Sequence, residues 1–171
     1  MNGHPGGAEH TRHMLELADL PAGAGVLDMG AGTGEAVALL NSLGCRAEGI
    51  DLRPRTDRIR EGDFLSAPYP DESFDAVLSQ CAFFVSGDPE GALREARRLL
   101  KPGGKLMLSD VEFAPLRPMT EEAGFRILFD EDLSAAWKEY YIEALWRGET
   151  CDCELPKRKC GYRLLIAEKE K

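Results

Sequence analysis

The stretch Val26-Leu-Asp-Met-Gly-Ala-Gly-Thr-Gly34 decides the fold of this chain. Its apolar first half is typical of a short buried strand over 25–29, and its glycines form a turn that leads into a helix over 35–43. A strand, a glycine turn and a helix in this order place backbone N–H groups at the carboxyl edge of a parallel sheet. Because glycine has no Cβ, a nucleotide-like ligand can approach closely there. The stretch therefore predicts an α/β fold with a ligand site at residues 30–34.

On both sides of this stretch, short apolar runs alternate with amphipathic runs, as in a parallel sheet covered by helices. The further predicted strands are 46–51, 58–61, 74–80, 105–110, 125–130 and 162–168. The further predicted helices are 9–19, 89–100 and 134–147. Lys101-Pro-Gly-Gly104 is expected to end the helix that precedes it. Only residues 52–57 separate the second and third strands. A crossover helix needs about ten or more residues, so a turn or a single helical turn is predicted.

Length and composition limit the function. The 171 residues predict a single domain, with a lid and leading helix over 1–20, a cofactor-binding core over 21–112 and C-terminal strands and a helix over 113–171. The net charge of −9 argues against a nucleic-acid partner, because such complexes need clustered Lys and Arg. No window approaches the roughly 20 apolar residues of a membrane span, and no apolar leader follows Met1. We expect a cytoplasmic protein whose five cysteines are thiols.

Two features of the glycine turn disfavour a dinucleotide. Position 35 is Glu, where a dinucleotide fingerprint has its third glycine. Asp28 precedes the turn, and a pyrophosphate beside bare peptide nitrogens would face that carboxylate at close range. A ligand with an ammonium and a sulfonium group, such as S-adenosylmethionine, would instead be attracted. The alternative is that Asp28 only caps the turn.

Two later acids fall on the same edge of the predicted sheet. Asp51 lies 21 residues after Gly30, close to the offset of about 20 residues at which an acid accepts hydrogen bonds from ribose hydroxyls. The carboxylate of Asp63 can accept a hydrogen bond from an adenine amino group, and Phe64 or Leu52 can flank the ring. The alternative for Asp63 is a plain turn aspartate that follows Gly62.

With these residues placed, the chain resembles the class I S-adenosylmethionine-dependent methyltransferases. The resembling segments are 27–34, 49–51, 62–64, 73–79 and 94–106, in the order of the family's motifs. The resemblance covers about residues 20 to 112. It implies a Rossmann-like, doubly wound, seven-stranded sheet, mostly parallel with an antiparallel last strand, and S-adenosylhomocysteine as a product. The implied cofactor-binding residues are Asp28, Gly30, Ala31, Gly32, Gly34, Asp51, Leu52, Asp63, Phe64, Ser79 and Gln80.

The acceptor of the methyl group is expected to be a small molecule that binds just past the fourth strand. Cys81, Phe83, Phe84 and Thr11 are the pocket candidates, although at least one of the two phenylalanines is expected in the core. No catalytic residue is assigned. The extra helix 134–147 carries aromatic side chains that suit an acceptor cover, a homodimer interface or ordinary core packing.

Cys151, Cys153 and Cys160 are the remaining cluster of reactive side chains. Their spacing is compatible with a soft metal, but no histidine is close in sequence, and we expect unrelated thiols and no metal. Two rival functions stay open. One is a module that binds S-adenosylmethionine without catalysis, which the short segment 111–120 and the reduced crossover favour. The other is a nicotinamide-dependent oxidoreductase.

Overall fold

Seven strands form one sheet in the order β3-β2-β1-β4-β5-β7-β6. The computed structural model describes residues 6–112, 114–148 and 160–170. The strands are β1 (Gly25–Met29), β2 (Arg46–Asp51), β3 (Arg60–Glu61), β4 (Phe74–Gln80), β5 (Leu100–Glu112), β6 (Phe125–Asp132) and β7 (Gly161–Lys169). The first five strands are parallel, and β7 runs antiparallel between β5 and β6. The predicted fold class is confirmed.

The described residues include five α-helices, which pack on the sheet. They are α1 (Gly7–Ala18), α2 (Glu35–Ser42), α3 (Pro89–Leu99), α4 (Leu116–Glu122) and α5 (Ser134–Trp146). The start of α3 shows why its sequence forms a helix. Pro89 occupies the first helical position, and the carboxylate of Asp88 caps the helix by accepting a hydrogen bond from the N–H of Gly91 at 2.8 Å. Both features satisfy or avoid the unpaired N–H groups of a first turn.

The two faces of the sheet support separate hydrophobic layers, as expected of a doubly wound fold. Leu27 and Val77 face a cluster that includes Leu93 of α3 and Leu116 of α4. The neighbouring strand residues Val26 and Leu78 face the other cluster, with Met14 of α1 and Leu40 of α2. Alternate residues of each strand thus point to opposite layers, which leaves the edges of the sheet for the ligand site.

Besides shifts of a few residues at the ends of elements, three differences from the sequence-based prediction stand out. The helix α3 ends before residues 101–104, as predicted, but β5 begins at Leu100, directly after α3, and not at the predicted residue 105. Leu100 already pairs with Phe74, and the register shifts before the next pair, Ala76 with Lys105. The helix α4 was not predicted. β3 has two residues instead of four.

The connection from β2 to β3 contains no helix, as predicted. Residues 52–59 form turns and bends. Ile59 is buried at the end of this connection and packs with Ala31 and Val37. In the described part of the chain, no helix combines the length and the apolar character that a membrane span would need.

Candidate active site

The three glycines of the turn after β1, residues 30–34 (the glycine loop), have positive φ angles of +90°, +47° and +77° at Gly30, Gly32 and Gly34. A Cβ on Gly30 would lie 2.3 Å from the Cβ of Ala82, and one on Gly34 would lie 3.1 Å from Cδ1 of Ile59. A Cβ on Gly32 would meet no heavy atom within 4 Å. A Cβ would therefore clash with a neighbour at Gly30 and crowd the Ile59 side chain at Gly34, whereas Gly32 borders open space at the carboxyl edge of the sheet.

The backbone N–H groups of the glycine loop are largely used inside the protein. The N–H groups of Gly30 and Ala31 both donate to the carbonyl of Ile50, at 2.9 and 3.2 Å, and that of Gly34 donates to the carbonyl of Ala31. The N–H of Gly32 donates to the Asp51 carboxylate at 2.9 Å. The expectation of bare peptide nitrogens is therefore wrong for these four residues. The reason is that the end of β2 lies beside the loop and supplies the acceptors for Gly30, Ala31 and Gly32, whereas the loop itself supplies the acceptor for Gly34.

Asp51 is held in one orientation at the end of β2. Its Oδ2 atom accepts the hydrogen bond from Gly32, and its Oδ1 atom accepts one from the N–H of Arg53 at 2.8 Å. A carboxylate oxygen can accept more than one hydrogen bond. Asp51 can therefore still accept hydrogen bonds from ligand hydroxyl groups at this edge of the sheet.

Asp28 is almost fully buried, with 4% of its surface exposed. Burial, together with the nearby charge of Asp51, raises the pKa of Asp28 to about 7. Its carboxyl group is therefore close to half protonated at neutral pH. Only the ionised half of the Asp28 carboxyl groups would attract a cationic ligand, and a nearby positive charge would increase that half.

Asp63 and its neighbours lie beyond β3. The Asp63 carboxylate caps a short 3-10 helix, Phe64–Ser66, by accepting a hydrogen bond from the N–H of Leu65 at 2.8 Å. Leu52 is 59% exposed, whereas Phe64 is 6% exposed, with its ring 5.9 Å from that of Phe83. Of the two side chains predicted to flank an adenine ring, only that of Leu52 is exposed at the surface. The ring of Phe64 belongs to the core.

The residues at the end of β4 are held by side-chain hydrogen bonds. Ser79 is fully buried, and its hydroxyl donates a hydrogen bond to the carbonyl of Met29 at 3.1 Å. Its side chain therefore links β4 to β1. The hydroxyl of Thr11 donates to Oε1 of Gln80 at 3.1 Å, and Nε2 of Gln80 lies 3.6 Å from the sulfur of Met14. Thr11 and Gln80 thus connect α1 to the end of β4.

Residues 81–87, which we call the β4 loop, contain the other pocket candidates. Phe83 is fully buried, so the core alternative is confirmed for it and its predicted place in the acceptor wall is wrong. Phe84 and Val85 are 36% and 68% exposed. Cys81 has a positive φ of +58°, which is uncommon for a residue with a side chain.

Tyr162 and Ser109 form a hydrogen-bonded group with Cys81. Neither residue was predicted from the sequence. The sulfur of Cys81 lies 3.3 Å from Oη of Tyr162, which donates to the hydroxyl of Ser109 at 3.1 Å. Burial, with the neighbouring Cys81, raises the pKa of Tyr162 well above its ordinary value. Trp137 of α5 stacks on the Tyr162 ring, with the two planes at 4°. This contact supports core packing for the start of α5, whereas Trp146 near its end is 87% exposed.

The cysteines predicted to be unrelated thiols fall mostly outside the described residues. Cys151 and Cys153 lie there, and Cys160 is described as a half-buried free thiol. Within residues 6–112, 114–148 and 160–170, no three His, Cys, Asp or Glu side chains are grouped to hold a metal ion.

Comparison with known proteins identifies the family. A family model described as a methyltransferase domain matches residues 27–108. An uncharacterized methyltransferase from Geobacillus kaustophilus (strain HTA426) is 34% identical over 153 residues, which is 78% of this chain and 69% of that protein. The chain belongs to the class I S-adenosylmethionine-dependent methyltransferases. Membership confirms the predicted family and its cofactor, S-adenosylmethionine.

Two further relatives show the range of this family. The demethylmenaquinone methyltransferase of Tropheryma whipplei (strain Twist) is 34% identical over 118 residues, which is 60% of this chain and 48% of that protein. The solved structure of the cyclase SpnF superposes with a TM-score of 0.75 at 25% identity, covering 95% of this chain and 80% of that one. The chain spans about half the length of the demethylmenaquinone methyltransferase.

The residues around the glycine loop fit S-adenosylmethionine better than a dinucleotide. The Gly32 position is open, and the Asp51 and Asp63 carboxylates are acceptors for hydroxyl and amino groups. A diphosphate needs unpaired N–H donors at such a turn, and those of Gly30, Ala31, Gly32 and Gly34 already donate within the protein.

Proposed function

We propose that this protein transfers a methyl group from S-adenosylmethionine to a small-molecule acceptor. The observation that carries this proposal is the open space at Gly32, beside a carboxylate that is held by two backbone N–H groups. Such a space admits a nucleoside, and the carboxylate of Asp51 suits its ribose hydroxyls. When bound, S-adenosylmethionine supplies the activated methyl group, and the protein contributes position and the exclusion of water.

The cofactor would contact both the glycine loop and the ends of the neighbouring strands. We assign the ribose hydroxyls to Asp51, the adenine amino group to Asp63 and an adenine face to Leu52. Asp28 would lie near the positively charged part of the cofactor. Ser79 is fully buried and its hydroxyl is bonded to the carbonyl of Met29, so we assign it no cofactor contact.

The acceptor would bind beside the β4 loop. Phe84 and Val85 are exposed there, and residues 81–87 include no charged side chain. These features suit an uncharged, largely apolar acceptor. A relative named for demethylmenaquinone methylation is consistent with that class of acceptor. We keep a cytoplasmic location and a homodimer as further proposals, the latter because Ile142 and Trp146 on α5 are exposed.

Calorimetric binding of S-adenosylhomocysteine tests the cofactor site. The wild-type protein should bind it saturably and should show no saturable heat with NAD. The variant Gly32→Ala should lose affinity by at least about tenfold, because its Cβ enters the open space where a ligand would lie. Gly44→Ala is the matched control, because Gly44 also has a positive φ of +90° with no heavy atom near its Cβ position, and it lies outside the site. Equal affinities of the two variants would contradict the proposed site.

A second candidate function is cofactor binding without methyl transfer. The specific observation is that SpnF, a structural relative of this chain, is named as a cyclase. Incubation of the protein with methyl-labelled S-adenosylmethionine and a cell extract separates the two functions. Label that moves to a small molecule supports the methyltransferase, and label that never leaves the cofactor favours the binding module.

A further inference from the structure

Asp110 is a fully buried carboxylate at the end of β5, next to the β4 loop. Its strand pairs with β4, and the last pair in register is Gln80 with Ser109. Asp110 is therefore the residue on β5 that adjoins the start of the β4 loop. No motif in the sequence analysis included it.

The carboxylate of Asp110 accepts hydrogen bonds from backbone N–H groups. Its Oδ2 atom accepts from the N–H of Phe84 at 3.0 Å, and its Oδ1 atom accepts from the N–H of Val111 at 2.7 Å. The N–H of Phe83 also contributes to stabilising its charge. Two consecutive residues of the β4 loop are thus held by a side chain from another strand.

No arginine or lysine among the described residues forms an ion pair with Asp110. The residue paired with it across β5 and β7 is Arg163, whose guanidinium binds Glu112 and Asp130 instead. Tyr162 of β7 interacts electrostatically with Asp110. Tyr162 in turn contacts the sulfur of Cys81 in the β4 loop, and its ring lies 6.4 Å from that of His10 of α1. A buried carboxylate is costly unless its hydrogen bonds are kept. Because N–H groups of the backbone provide these bonds to Asp110, losing one of them would be unfavourable, and the donors are held in place.

The β4 loop shows the effect of this constraint. The N–H of Cys81 donates to the carbonyl of Ser109 at 2.9 Å, and Cys81 has its positive φ at this point. Phe83 is turned into the core, whereas Phe84 and Val85 are turned outward. Anchoring the N–H of Phe84 to Asp110 separates the buried half of the loop from the exposed half.

We propose that Asp110 is a positioning residue that holds the β4 loop in the shape that presents Phe84 and Val85 to the methyl acceptor. The presentation of Phe84 and Val85 to an acceptor rests on the proposed function, in which the acceptor binds beside that loop. The hydrogen bonds themselves do not depend on which acceptor binds.

Protonation of Asp110 should loosen the loop, because a neutral carboxyl group is a weaker acceptor than a carboxylate. Burial raises the pKa of Asp110 to about 6. The charged form that holds the loop is therefore present above this pH and is lost as the pH falls through it. The β4 loop should be most rigid in neutral and alkaline solution.

Amide hydrogen exchange of residues 81–87 in the unliganded protein tests the proposal. In Asp110→Asn, the amide of Phe84 should exchange at least roughly tenfold faster at about pH 8, because an amide side chain cannot supply two charged acceptors. Asp75→Asn is the matched control, since Asp75 also accepts from a backbone N–H, that of Gly25, at the far end of β4. It should leave the β4 loop unchanged.

The wild-type protein supplies a second measurement that needs no variant. After correction for the intrinsic pH dependence of exchange, protection of the Phe84 amide should fall as the pH is lowered through about 6. Unchanged exchange in Asp110→Asn, or protection that is constant between about pH 5 and pH 8, would overturn the proposal.

Binding of S-adenosylhomocysteine separates this proposal from the proposed function. Asp110→Asn should bind it with an affinity within about twofold of wild type, because the carboxylates assigned to the cofactor lie on β1, at the end of β2 and after β3. A protein that lacks this binding but shows the expected exchange pattern would contradict the proposed function and support the role of Asp110.

Discussion

Over β1 and β2 the carboxyl edge of the sheet is shaped mainly by backbone groups, whereas over β4, β5 and β7 it is shaped mainly by side chains. In the first region, the glycine loop packs against the carbonyl of Ile50 and the carboxylate of Asp51. In the second, Gln80 bonds Thr11 and Asp110 bonds the N–H of Phe84. The first region is encoded within one short part of the chain. The second region needs residues from both ends of the chain. A single substitution can alter this region without changing the first.

The two regions meet at Gly30, and the variant Gly30→Ala should have the largest effect. A Cβ there would lie 2.3 Å from the Cβ of Ala82 in the β4 loop, and the positive φ adds strain. We expect the free energy of unfolding to fall by about 3 kcal/mol, of which roughly 1–2 kcal/mol comes from the backbone conformation and the rest from overpacking. Urea denaturation measures this loss.

Gly44→Ala is the control for Gly30→Ala, because Gly44 has the same φ of +90° and open space around its Cβ position. It should lose only the backbone part, roughly 1–2 kcal/mol. Equal losses in the two variants would mean that the contact with Ala82 does not join the regions.

Most of the fold could be predicted because its signals are local. The alternation of apolar runs and the glycine turn at 30–34 predict the strands without any knowledge of their partners. The start of β5 could not be predicted in this way. Residues 102–104, Pro-Gly-Gly, are a helix stop signal, but here Leu100 already pairs with Phe74 of a neighbouring strand. In α4, Pro118 falls in the first turn, where a missing N–H costs no hydrogen bond within the helix.

The candidate site could be predicted only where its residues are close in sequence. Asp51 follows the second strand at an informative spacing from Gly30, and the structure places it beside Gly32. The use of the loop's N–H groups by Ile50 could not be predicted, because it depends on how far β2 extends beside the turn. The contact of Cys81 with Tyr162 spans 81 residues, and no periodicity in the sequence predicts such a pair.

Asp51→Asn should weaken cofactor binding while sparing the β4 loop, which sharpens the contrast between the two regions. The substitution disturbs the hydrogen bonds from Gly32 and Arg53 and removes the charge proposed to bind the ribose. A hydrogen bond to a charged group is worth roughly 1.5–3 kcal/mol, so affinity for S-adenosylhomocysteine should fall by about 30-fold in calorimetry. Asp57→Asn, at an exposed carboxylate of the same connection, should bind like wild type. A similar loss in both variants would point to long-range charge and not to a specific contact.

The pH dependence of cofactor binding should depend on Asp28. Burial and the charge of Asp51 raise the pKa of Asp28 to about 7, and the ionised form attracts a cation. Affinity for S-adenosylmethionine should therefore increase by about tenfold as the pH rises from about 6 to about 8. Asp28→Asn should remove this increase in a fluorescence or calorimetric titration. An identical slope in the variant would assign the pH dependence to another group.

The smallest expected effect comes from Thr11→Val, which removes the hydroxyl bonded to Gln80 and keeps the shape of the side chain. A neutral hydrogen bond contributes about 1 kcal/mol, so amide exchange in α1 should become roughly fivefold faster. Thr11→Ser retains the hydroxyl and should restore the protection. Affinity for S-adenosylhomocysteine should stay within about twofold of wild type, because the Thr11 hydroxyl lies in the region over β4, β5 and β7 and not beside the glycine loop. If Thr11→Val instead weakened binding as much as Asp51→Asn, α1 would belong to the cofactor region, and the division between the two halves of the edge would fail.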